Sequence, residues 1–384
     1  MIEIENKENC SGCHACANAC PVNCINMTCD KEGFLYPVID KDKCIGCNKC
    51  ELVCHSINPL QNDNIPSAYA CMNIDEVTRM HSSSGGIFTL LAECIIEQGG
   101  VVFGAAFDAD YNVHHIAATD LEQLSQIRGS KYVQSKIGDT YIQAKNFLEQ
   151  DIPVLFSGTP CQIDGLLKYL CGKHYEKLYT QDIVCHGAPS PKVWEEYLKH
   201  VKNISGNNIK YIYFRNKNNG WKNFGVKIEF ENNKSDIKDF KKDYFMKGFL
   251  SNLYLRPSCY NCHSKSLNRN SDITLADFWG IDNILPDMND DKGTSLVLVN
   301  TKKGKTLFDN ISEKIKFQSV DCSDAVKYNS SALKSVDKPK SRNKVIKQIN
   351  SKNFEKIIKK YTSPSFIRKC IIKARIIIKQ IIKK

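Results

Sequence analysis

The alternation of hydrophobic and polar positions divides this chain into four segments. Residues 1–58 carry short apolar stretches between cysteines and turn residues, and residues 59–66 are polar and contain proline, which is typical of a linker. Residues 67–336 alternate strand-like and helix-like patterns, whereas residues 337–384 show helical composition among many basic side chains. The pattern therefore predicts two folded domains joined by a linker and followed by a basic helical tail.

The segment from residue 67 to about residue 300 has the pattern of alternating strands and helices. The predicted strands are SAYACMN, VVFGAAF, PVLFSG and LYTQDIVC. The predicted helices are GGIFTLLAECIIEQGG, TYIQAKNFLEQ, QIDGLLKYLCGK and PKVWEEYLKHVKN. This alternation predicts an α/β domain with a mainly parallel sheet. Three later segments predict added β structure around that sheet: IKYIYFRN, FGVKIEFEN and SLVLVNTKKG.

Cysteine content points to metal binding. The chain has 19 cysteines among 384 residues, an odd number with uneven spacing. It begins MIEIENKENC, which is acidic and polar and unlike a secretory signal, and it has no run of 18 apolar residues that would predict a membrane span. We therefore expect the cysteines to bind metal in a reducing cytoplasm rather than to form disulfides.

Positive charge is concentrated at the C-terminal end of the chain. Residues 338–384 contain 16 Lys and Arg against one acid, Glu355, while the rest has 37 Lys and Arg against 41 Asp and Glu. Apolar residues recur at helical spacing in this tail: Ile367, Ile371, Ala374, Ile378 and Ile381. A basic amphipathic helix can lie on an anionic membrane surface, or it can be solvated or packed on the body. Nucleic-acid binding is disfavoured, because the body is acidic and carries no nucleic-acid-binding motif.

The most specific signal is a repeated cysteine motif. CSGCHACANACP begins at Cys10, and CIGCNKCELVCH repeats its spacing from Cys44. Three cysteines at this spacing wrap one face of a 4Fe–4S cluster, and the fourth reaches the other cluster. Residues 1–58 are therefore predicted to form an α+β ferredoxin-type iron–sulfur domain. The ligand sets are Cys10, Cys13, Cys16 and Cys54 for one cluster, and Cys20, Cys44, Cys47 and Cys50 for the other.

A pair of zinc knuckles is the alternative reading of this repeat. Zinc sites use paired CxxC units rather than triplets with a trailing cysteine, which favours the iron–sulfur interpretation. His55 stands where the first motif has Pro21, a departure that removes no ligand. Cys24 and Cys29 are left over and are assigned to packing. A two-cluster ferredoxin moves single electrons, so the motif leaves open what donates or accepts them.

A second group of cysteines lies in the α/β domain. RPSCYNCHS contains the pair Cys259 and Cys262, Cys161 begins a helix after the strand PVLFSG, and Cys185 ends the strand LYTQDIVC. Cys161 and Cys185 thus follow the carboxyl ends of strands, where open α/β sheets bind ligands. If the pair folds onto that edge, the four thiolates form a third 4Fe–4S site. The alternatives are packing for the single cysteines, and a redox dithiol or half a zinc site for the pair. The remaining cysteines are assigned to packing: Cys71, Cys94, Cys171, Cys322 and Cys370.

A possible phosphate-binding turn replaces the usual dinucleotide fingerprints, which are absent from this sequence. HSSSGGIF places serines and glycines at the start of an apolar helix, where backbone amides could bind a phosphate or form a plain N-cap. RGSKYVQS adds Gly129, Lys131 and Tyr132. The Lys131 cation could bind the phosphate of a nucleotide, and the Tyr132 side chain could pack on its ring.

Several segments in order resemble one known family. SSSGGIFT, GGVVFGAAF, RGSKYVQS, LFSGTPCQ, DIVCHGAPSPKVW, LRPSCYNC and SDITLADFWG are similar to motifs of the coenzyme F420 hydrogenase/dehydrogenase beta subunit family. The resemblance covers about residues 1–335 and implies an α/β flavoprotein domain at 67–336 that carries FAD beside a 4Fe–4S cluster. It implies FAD contacts around Ser84, Gly85, Gly86, Gly129, Lys131 and Tyr132. It also supports Cys161, Cys185, Cys259 and Cys262 as cluster ligands.

The expected function follows from these parts. We expect a flavin-dependent iron–sulfur oxidoreductase that passes electrons between an organic hydride donor or acceptor and a one-electron carrier, through FAD and three 4Fe–4S clusters. The alternative is a non-enzymatic electron-transfer subunit that serves a partner enzyme. His186, Asp272 and Asp277 are candidate acid–base groups by placement, with core or capping roles as alternatives. The expected location is the cytoplasm, with a possible membrane contact through the tail.

Overall fold

The first domain is built on the repeated cysteine motif. The computed structural model describes residues 1–363, so the amphipathic part of the tail, 364–384, lies outside the described residues. Two short helices and an antiparallel hairpin form this domain: α1 (Ala15–Asn18), β1 (Ile25–Cys29), β2 (Leu35–Ile39) and α2 (Lys49–Leu52). His14 and Asn48, which precede the helices, both have left-handed backbone. The sequence repeat is therefore also a structural repeat.

The second domain contains one large and one small sheet. Its strands along the chain are β3 (Ser67–Asn73), β4 (Val101–Phe107), β5 (Val113–Ala118), β6 (Val154–Ser157), β7 (Leu178–Ile183), β8 (Ile209–Asn216), β9 (Gly225–Phe230), β10 (Ser235–Asp239), β11 (Ile273–Asp277), β12 (Ser295–Val299) and β13 (Ile315–Val320). Eight of them form the large sheet in the order β13-β3-β12-β11-β7-β6-β4-β5, and β10-β9-β8 form the small one.

Helices lie between these strands at most of the predicted positions. They are α3 (Glu76–Met80), α4 (Ile87–Glu97), α5 (Leu121–Ile127), α6 (Thr140–Glu149), α7 (Pro160–Tyr169), α8 (Pro191–Ser205), α9 (Tyr244–Leu250), α10 (Ile281–Ile284), α11 (Lys302–Asn310), α12 (Cys322–Val326), α13 (Arg342–Gln348) and α14 (Phe354–Thr362). The four predicted helices correspond to α4, α6, α7 and α8, and the four predicted strands to β3, β4, β6 and β7.

The large sheet is mixed, which corrects the prediction of a mainly parallel sheet. Only the central pairings β11–β7, β7–β6 and β6–β4 are parallel, and the other four are antiparallel. A parallel pairing needs a long crossover, usually through a helix. The connection from β4 to β5 is a short hairpin loop, and the one from β11 to β12 contains only the four-residue α10 and the short 3₁₀ helix Pro286–Met288. Helix–strand alternation therefore identified the centre of the sheet and not its flanks.

Helices cover both faces of the central strands. Successive residues of a strand point to opposite faces, so Leu155 packs with α4 and α11, whereas Phe156 packs with α6 and α7. Ala15 and Val53 of the first domain belong to the same core as α6 and α7. The first domain is thus packed against this face of the second.

The small sheet forms a separate core that also includes the first part of the predicted tail. β8 and β9 pack with α8 and α9, and α13 and α14 contribute Val345, Phe354 and Ile358 to the same cluster. Residues 337–363 are therefore packed on the body rather than extended from it. Within residues 1–363, no helix is both long and apolar enough to cross a membrane.

Candidate functional site

Four cysteines of the first domain line one cavity. Cys10, Cys13 and Cys16 come from the first motif, and Cys54 comes from the second. Burial raises the pKa of Cys13 to about 12, and the nearby Cys10 and Cys54 thiols add to the rise. A thiol with this pKa is protonated at neutral pH, so metal binding has to displace its proton. We call these four residues the first set.

The second set consists of Cys20, Cys44, Cys47 and Cys50. Cys20 and Cys50 are buried in one small core against which Cys44 packs, while Cys47 is exposed. The amide of Ile2 donates a hydrogen bond to the Cys50 sulfur at 3.4 Å.

Cys24 lies closer to the second set than the sequence indicated. It is buried, as expected for a packing residue, but its sulfur is 3.4 Å from the Cys20 sulfur and its amide donates to that sulfur at 3.3 Å. Its position four residues after Cys20 was the available signal.

The third set brings together cysteines that are far apart in sequence. Cys161 is the second residue of α7, whose start is capped by Thr159 and Gln162, and Cys185 follows β7. Cys259 lies in the short helix Pro257–Asn261, and Cys262 ends it. A bridge between Pro189 and Leu255 fixes this segment beside the strand ends.

The electrostatics of Cys161 show that the four thiols of the third set are neighbours. Burial raises the pKa of Cys161 well above its ordinary value, and the thiols of Cys262, Cys185 and Cys259 raise it further. The Ala188 amide donates to the Cys259 sulfur at 3.3 Å. The isolated cysteines and the CxxC pair therefore meet at one edge of the sheet.

A single metal ion and an iron–sulfur cluster make different demands on the positions of the sulfurs. In the part of the chain that the structure describes, no three His, Cys, Asp or Glu side chains converge closely enough to share one metal ion. A zinc site needs its sulfurs about 2.3 Å from a single ion. In a 4Fe–4S cluster each thiolate binds a different iron, so the sulfurs surround a larger object.

The first and third sets are neighbours across α7. Gly165 lies one helical turn after Cys161, and a Cβ at Gly165 would stand 2.9 Å from the Cys13 sulfur. Tyr141 donates to the Gln162 carbonyl at 2.6 Å, and the Cys13 and Cys161 thiols both contribute to the rise in its pKa, of which burial is the main cause. The absence of a side chain at Gly165 therefore lets the first set approach the helix that carries Cys161.

The two predicted cofactor motifs are also adjacent, although part of the first one serves the fold. Ser130 donates from its amide and its hydroxyl to the Ser83 hydroxyl at 2.8 Å, which joins SSSGG to RGSKY. The Gly85 amide donates to the Ser295 hydroxyl at 2.9 Å, and the Ser84 hydroxyl donates to the Thr294 carbonyl at 3.0 Å. These two groups are thus engaged by the neighbouring strand β12.

Glycines in these motifs have different surroundings. A Cβ at Gly85 would clash with the Cys71 carbonyl, and one at Gly86, where φ is +83°, would meet Asn73 at 3.1 Å. Gly129 has φ +84° and open space where its Cβ would be. Of these three glycines, only Gly129 therefore offers an accessible backbone surface of the kind that a phosphate group needs.

Buried cations surround the junction of the two motifs. The Lys131 ammonium donates to the carbonyls of Ile127 at 3.0 Å and Arg128 at 3.1 Å, and Lys217 donates to the Ser84 carbonyl at 2.8 Å. Burial lowers the pKa of each lysine to about 7. Their hydrogen-bond acceptors are neutral carbonyls, so an anionic group bound here would supply the missing negative charge.

Arg215 completes this group of cations. It donates to the Asp277 carboxylate at 2.9 Å and to the Ser83 carbonyl at 3.3 Å, and its guanidinium lies 3.8 Å from the centre of the Phe224 ring. Neither Arg215 nor Lys217 was predicted from the sequence, because nothing in the strand FRNK marks them as buried. Arg215 lies near the end of β8, and Lys217 follows the strand between Asn216 and Asn218, so the sequence carried no signal for them.

Aromatic rings connect the cofactor motifs to the third set. Tyr132 packs on Phe249 with ring centres 5.2 Å apart, and Phe249 meets the edge of His186 at 4.9 Å. His186 directly follows Cys185, so continuous side-chain contacts lead from the predicted cofactor contact Tyr132 to the third set.

The three candidate acid–base residues have structural partners. Asp272 accepts from the Thr180 amide at 2.8 Å and the Thr301 hydroxyl at 2.6 Å. Asp277 holds Arg215, and His186 is bonded to the Asn252 amide oxygen at 2.7 Å. Asp272 therefore links Thr180 to Thr301 by hydrogen bonds. Asp277 and His186 hold Arg215 and Asn252, which are neighbours of the candidate site.

A polar cavity lies between the linker and the loop after the third set. It has a volume of about 470 Å³, and its lining includes His55, Pro160 and His263, each next in sequence to a cysteine of the first or third set. Asp182 and Arg269 also line it, are buried, and approach each other to 3.6 Å. Burial raises the pKa of Asp182 to about 6. No motif in the sequence had indicated this pair.

Comparison with known proteins identifies both domains. Residues 153–325 match the family model for the C terminus of the coenzyme F420 hydrogenase/dehydrogenase beta subunit, and this range contains all four cysteines of the third set. Residues 9–57 match the 4Fe-4S dicluster domain, which contains the first and second sets. No curated protein matches. Among solved structures, one from the F420-reducing NiFe hydrogenase complex of Methanosarcina barkeri, studied with xenon, is similar over 71% of this chain and 90% of that chain, with 16% identity and a TM-score of 0.48.

Proposed function

The chain belongs to the coenzyme F420 hydrogenase/dehydrogenase beta subunit family, with a 4Fe-4S dicluster domain in front of that family's C-terminal domain, and from this premise we propose that it is a flavin-dependent iron–sulfur oxidoreductase. It passes electrons between an organic hydride donor or acceptor and a one-electron carrier. When bound, FAD exchanges hydride with the organic partner and the clusters carry single electrons.

The observation that supports this proposal best is the contact between the first and third sets. Cys13 of the ferredoxin domain packs against Gly165, one turn from Cys161. One turn of α-helix is about 5.4 Å, so the two cysteine sets are close neighbours across the domain boundary. This arrangement supports a proposed order of electron transfer from the third set to the first set and then to the second set.

The residues around Ser83 and Ser130 are proposed to hold the flavin. Lys131 and Arg215 offer positive charge to its phosphates, and Gly129 offers an open backbone surface. Asp277 keeps the Arg215 guanidinium in place through the 2.9 Å ion pair. Tyr132 and Phe249 then provide packed aromatic contacts from this region to His186 beside the third set.

The exposed end of the second set is proposed to meet the electron carrier. Cys47 is exposed, and Ile45 and Leu52 next to it are 63% and 65% exposed. Contiguous apolar surface is typical of contact sites for other proteins, and we assign these two side chains to such a surface. The same observation favours the second candidate function, an electron-transfer subunit that serves a partner enzyme.

Iron, zinc and flavin content of anaerobically purified protein tests this proposal. We expect about twelve irons and one FAD per chain, since three cubanes contain four irons each. Cys161→Ser should lose about four irons, whereas Cys171→Ser should lose none, because Cys171 is exposed and lies beyond the opposite end of α7 from Cys161. About eight irons without flavin would overturn the flavoenzyme and leave the electron carrier. Turnover of a hydride donor by the purified protein alone separates the enzyme from the subunit.

A further inference from the structure

One buried arginine connects the first and third sets. The Arg256 carbonyl accepts from the Cys259 amide at 2.9 Å, so its backbone belongs to the segment that delivers the third set. Its side chain crosses into the ferredoxin domain, where Nε donates to the Cys10 carbonyl at 2.7 Å and Nη2 donates to the Leu35 carbonyl at 2.9 Å. Arg256 is only 1% exposed, although it bridges two domains.

The same guanidinium contacts a proposed cluster ligand. Its Nη2 lies 3.6 Å from the Cys10 sulfur, and Nη1 donates to the Gln134 side-chain oxygen at 2.9 Å. The Tyr36 ring lies 4.3 Å from the guanidinium carbon. All its hydrogen-bond acceptors are neutral oxygens except this sulfur. A cation desolvated in this way gains most from a nearby negative charge.

The ferredoxin motif has a glycine where the guanidinium approaches. A Cβ at Gly12 would stand 2.7 Å from Nη1 of Arg256. Gly46 occupies the equivalent place in the second motif with nearly the same backbone, φ +68° against +69°, and has nothing within 4 Å of its Cβ position. The first half of the repeat thus has a buried cation beside its glycine, and the second half does not.

We propose that Arg256 sets the reduction potential of the cluster held by the first set and makes it the station that receives electrons from the third set. The inference rests on the proposed function, which supplies the clusters. Reduction adds one electron to a cluster whose thiolates already make it negative, and a buried cation bonded to a ligand sulfur stabilises that added charge. Arg256 therefore raises the potential of the first cluster and leaves that of the second unchanged.

Redox titration of the holoprotein, followed by electron paramagnetic resonance, tests the proposal. Arg256→Met should lower the ratio of reduced to oxidised first cluster at a fixed potential at least tenfold, which corresponds to about 59 mV for one electron. Arg256→Lys should recover part of this shift, because it keeps the charge and loses the planar fork. The reduction potential of the second cluster should stay the same in both variants.

Arg342 provides the control for domain docking. It is also buried, and its Nη2 binds the Glu32 carboxylate of the ferredoxin hairpin at 2.6 Å, without touching a sulfur. Arg342→Met should therefore weaken the docking of the two domains and leave the reduction potential of the first cluster unchanged. A shift as large as that of Arg256→Met would assign the effect to docking and overturn the proposal.

Gly12→Ala and Gly46→Ala form a matched pair that keeps Arg256 itself. Both substitutions strain a left-handed glycine equally, but only the first displaces the guanidinium. Gly12→Ala should change the reduction potential of the first cluster, whereas Gly46→Ala should leave the reduction potential of the second cluster unchanged. Equal changes in the two potentials would overturn the proposal. Iron content is measured on every variant. A wild type with too few irons refutes the proposed function, whereas full iron with unmoved potentials refutes only the role of Arg256.

Discussion

At the residue scale, the candidate cofactor site depends on two lysines, Lys131 and Lys217, whose ammonium groups bind carbonyls and, within residues 1–363, form no ion pair with a carboxylate. Lys131 is held by backbone carbonyls, and the positive charges of Arg79 and Arg215 act on Lys217 more strongly than the negative charges of Asp277 and Asp290. The fold thus tolerates a local excess of positive charge, at the expense of lowered lysine pKa values. Such an arrangement is expected where an anionic ligand completes the site.

Flavin binding should consequently depend on pH. The folded-state pKa of Lys131 and Lys217 is about 7, against about 10.4 in the unfolded chain. Without flavin, the unfolded state binds more protons in this window, so the free energy of unfolding rises as pH increases through it. Bound phosphate favours the protonated lysines, so we expect flavin affinity to fall from pH 7 to 9. Fluorescence titration measures it.

Substitution of single lysines checks the origin of this pH dependence. Lys131→Met should weaken flavin binding and flatten its pH profile. Lys210→Met, at an exposed position on β8, should change neither. A profile that keeps its slope in Lys131→Met and in Lys217→Met would show that other groups cause it.

At the element scale, α7 carries the contact between the two domains. Its first turn holds Cys161, its capping residues Thr159 and Gln162 satisfy the start of the helix, and Gly165 leaves room for Cys13. A glycine inside a helix costs about 1 kcal/mol relative to alanine. The close approach of the first set explains why glycine occupies this helical position.

Gly165→Ala should impair electron transfer between the domains. The added Cβ would lie within 3.0 Å of the Cys13 sulfur and of the Tyr141 hydroxyl, so the two sets have to move apart. We expect slower reduction of the ferredoxin clusters from the flavin side in stopped-flow measurements, with iron content unchanged. Lys168→Ala on the same helix is the control. Unchanged rates in Gly165→Ala would mean that electrons do not pass at this contact.

At the scale of the whole molecule, the described part of the basic tail belongs to the second domain. Ile358 of α14 is fully buried in the core that contains the small sheet and α8. The lysines of α13 and α14 therefore lie on the exposed face of helices whose inner face is apolar.

Two isoleucine substitutions measure what this packing contributes. Ile358→Ala should lower the free energy of unfolding by about 2–5 kcal/mol, because it removes a buried side chain and leaves a cavity. Ile204→Ala, on α8 and 66% exposed, should change it by about 0.5 kcal/mol or less. Urea denaturation followed by circular dichroism provides the comparison. Equal small effects would show that α14 does not stabilise the body.

The sequence by itself determined the local features of this protein. The spacing of cysteines from Cys10 to Cys54 identifies a two-cluster motif because three ligands lie within one short loop. Apolar periodicity located α4, α6, α7 and α8 because a helix or strand buries one face whatever lies opposite. Cys161 and Cys185 were placed at strand ends for the same reason.

Only the tertiary structure decided which remote residues meet. The antiparallel flanks of the sheet, the approach of Cys13 to Gly165 and the path of Arg256 between two cysteine sets all join positions far apart in the chain. Such contacts depend on how whole elements pack, and no local periodicity records them. Burial also decides the charge state of Lys131 and Lys217, because a side chain is desolvated by its three-dimensional neighbours and not by its neighbours in sequence.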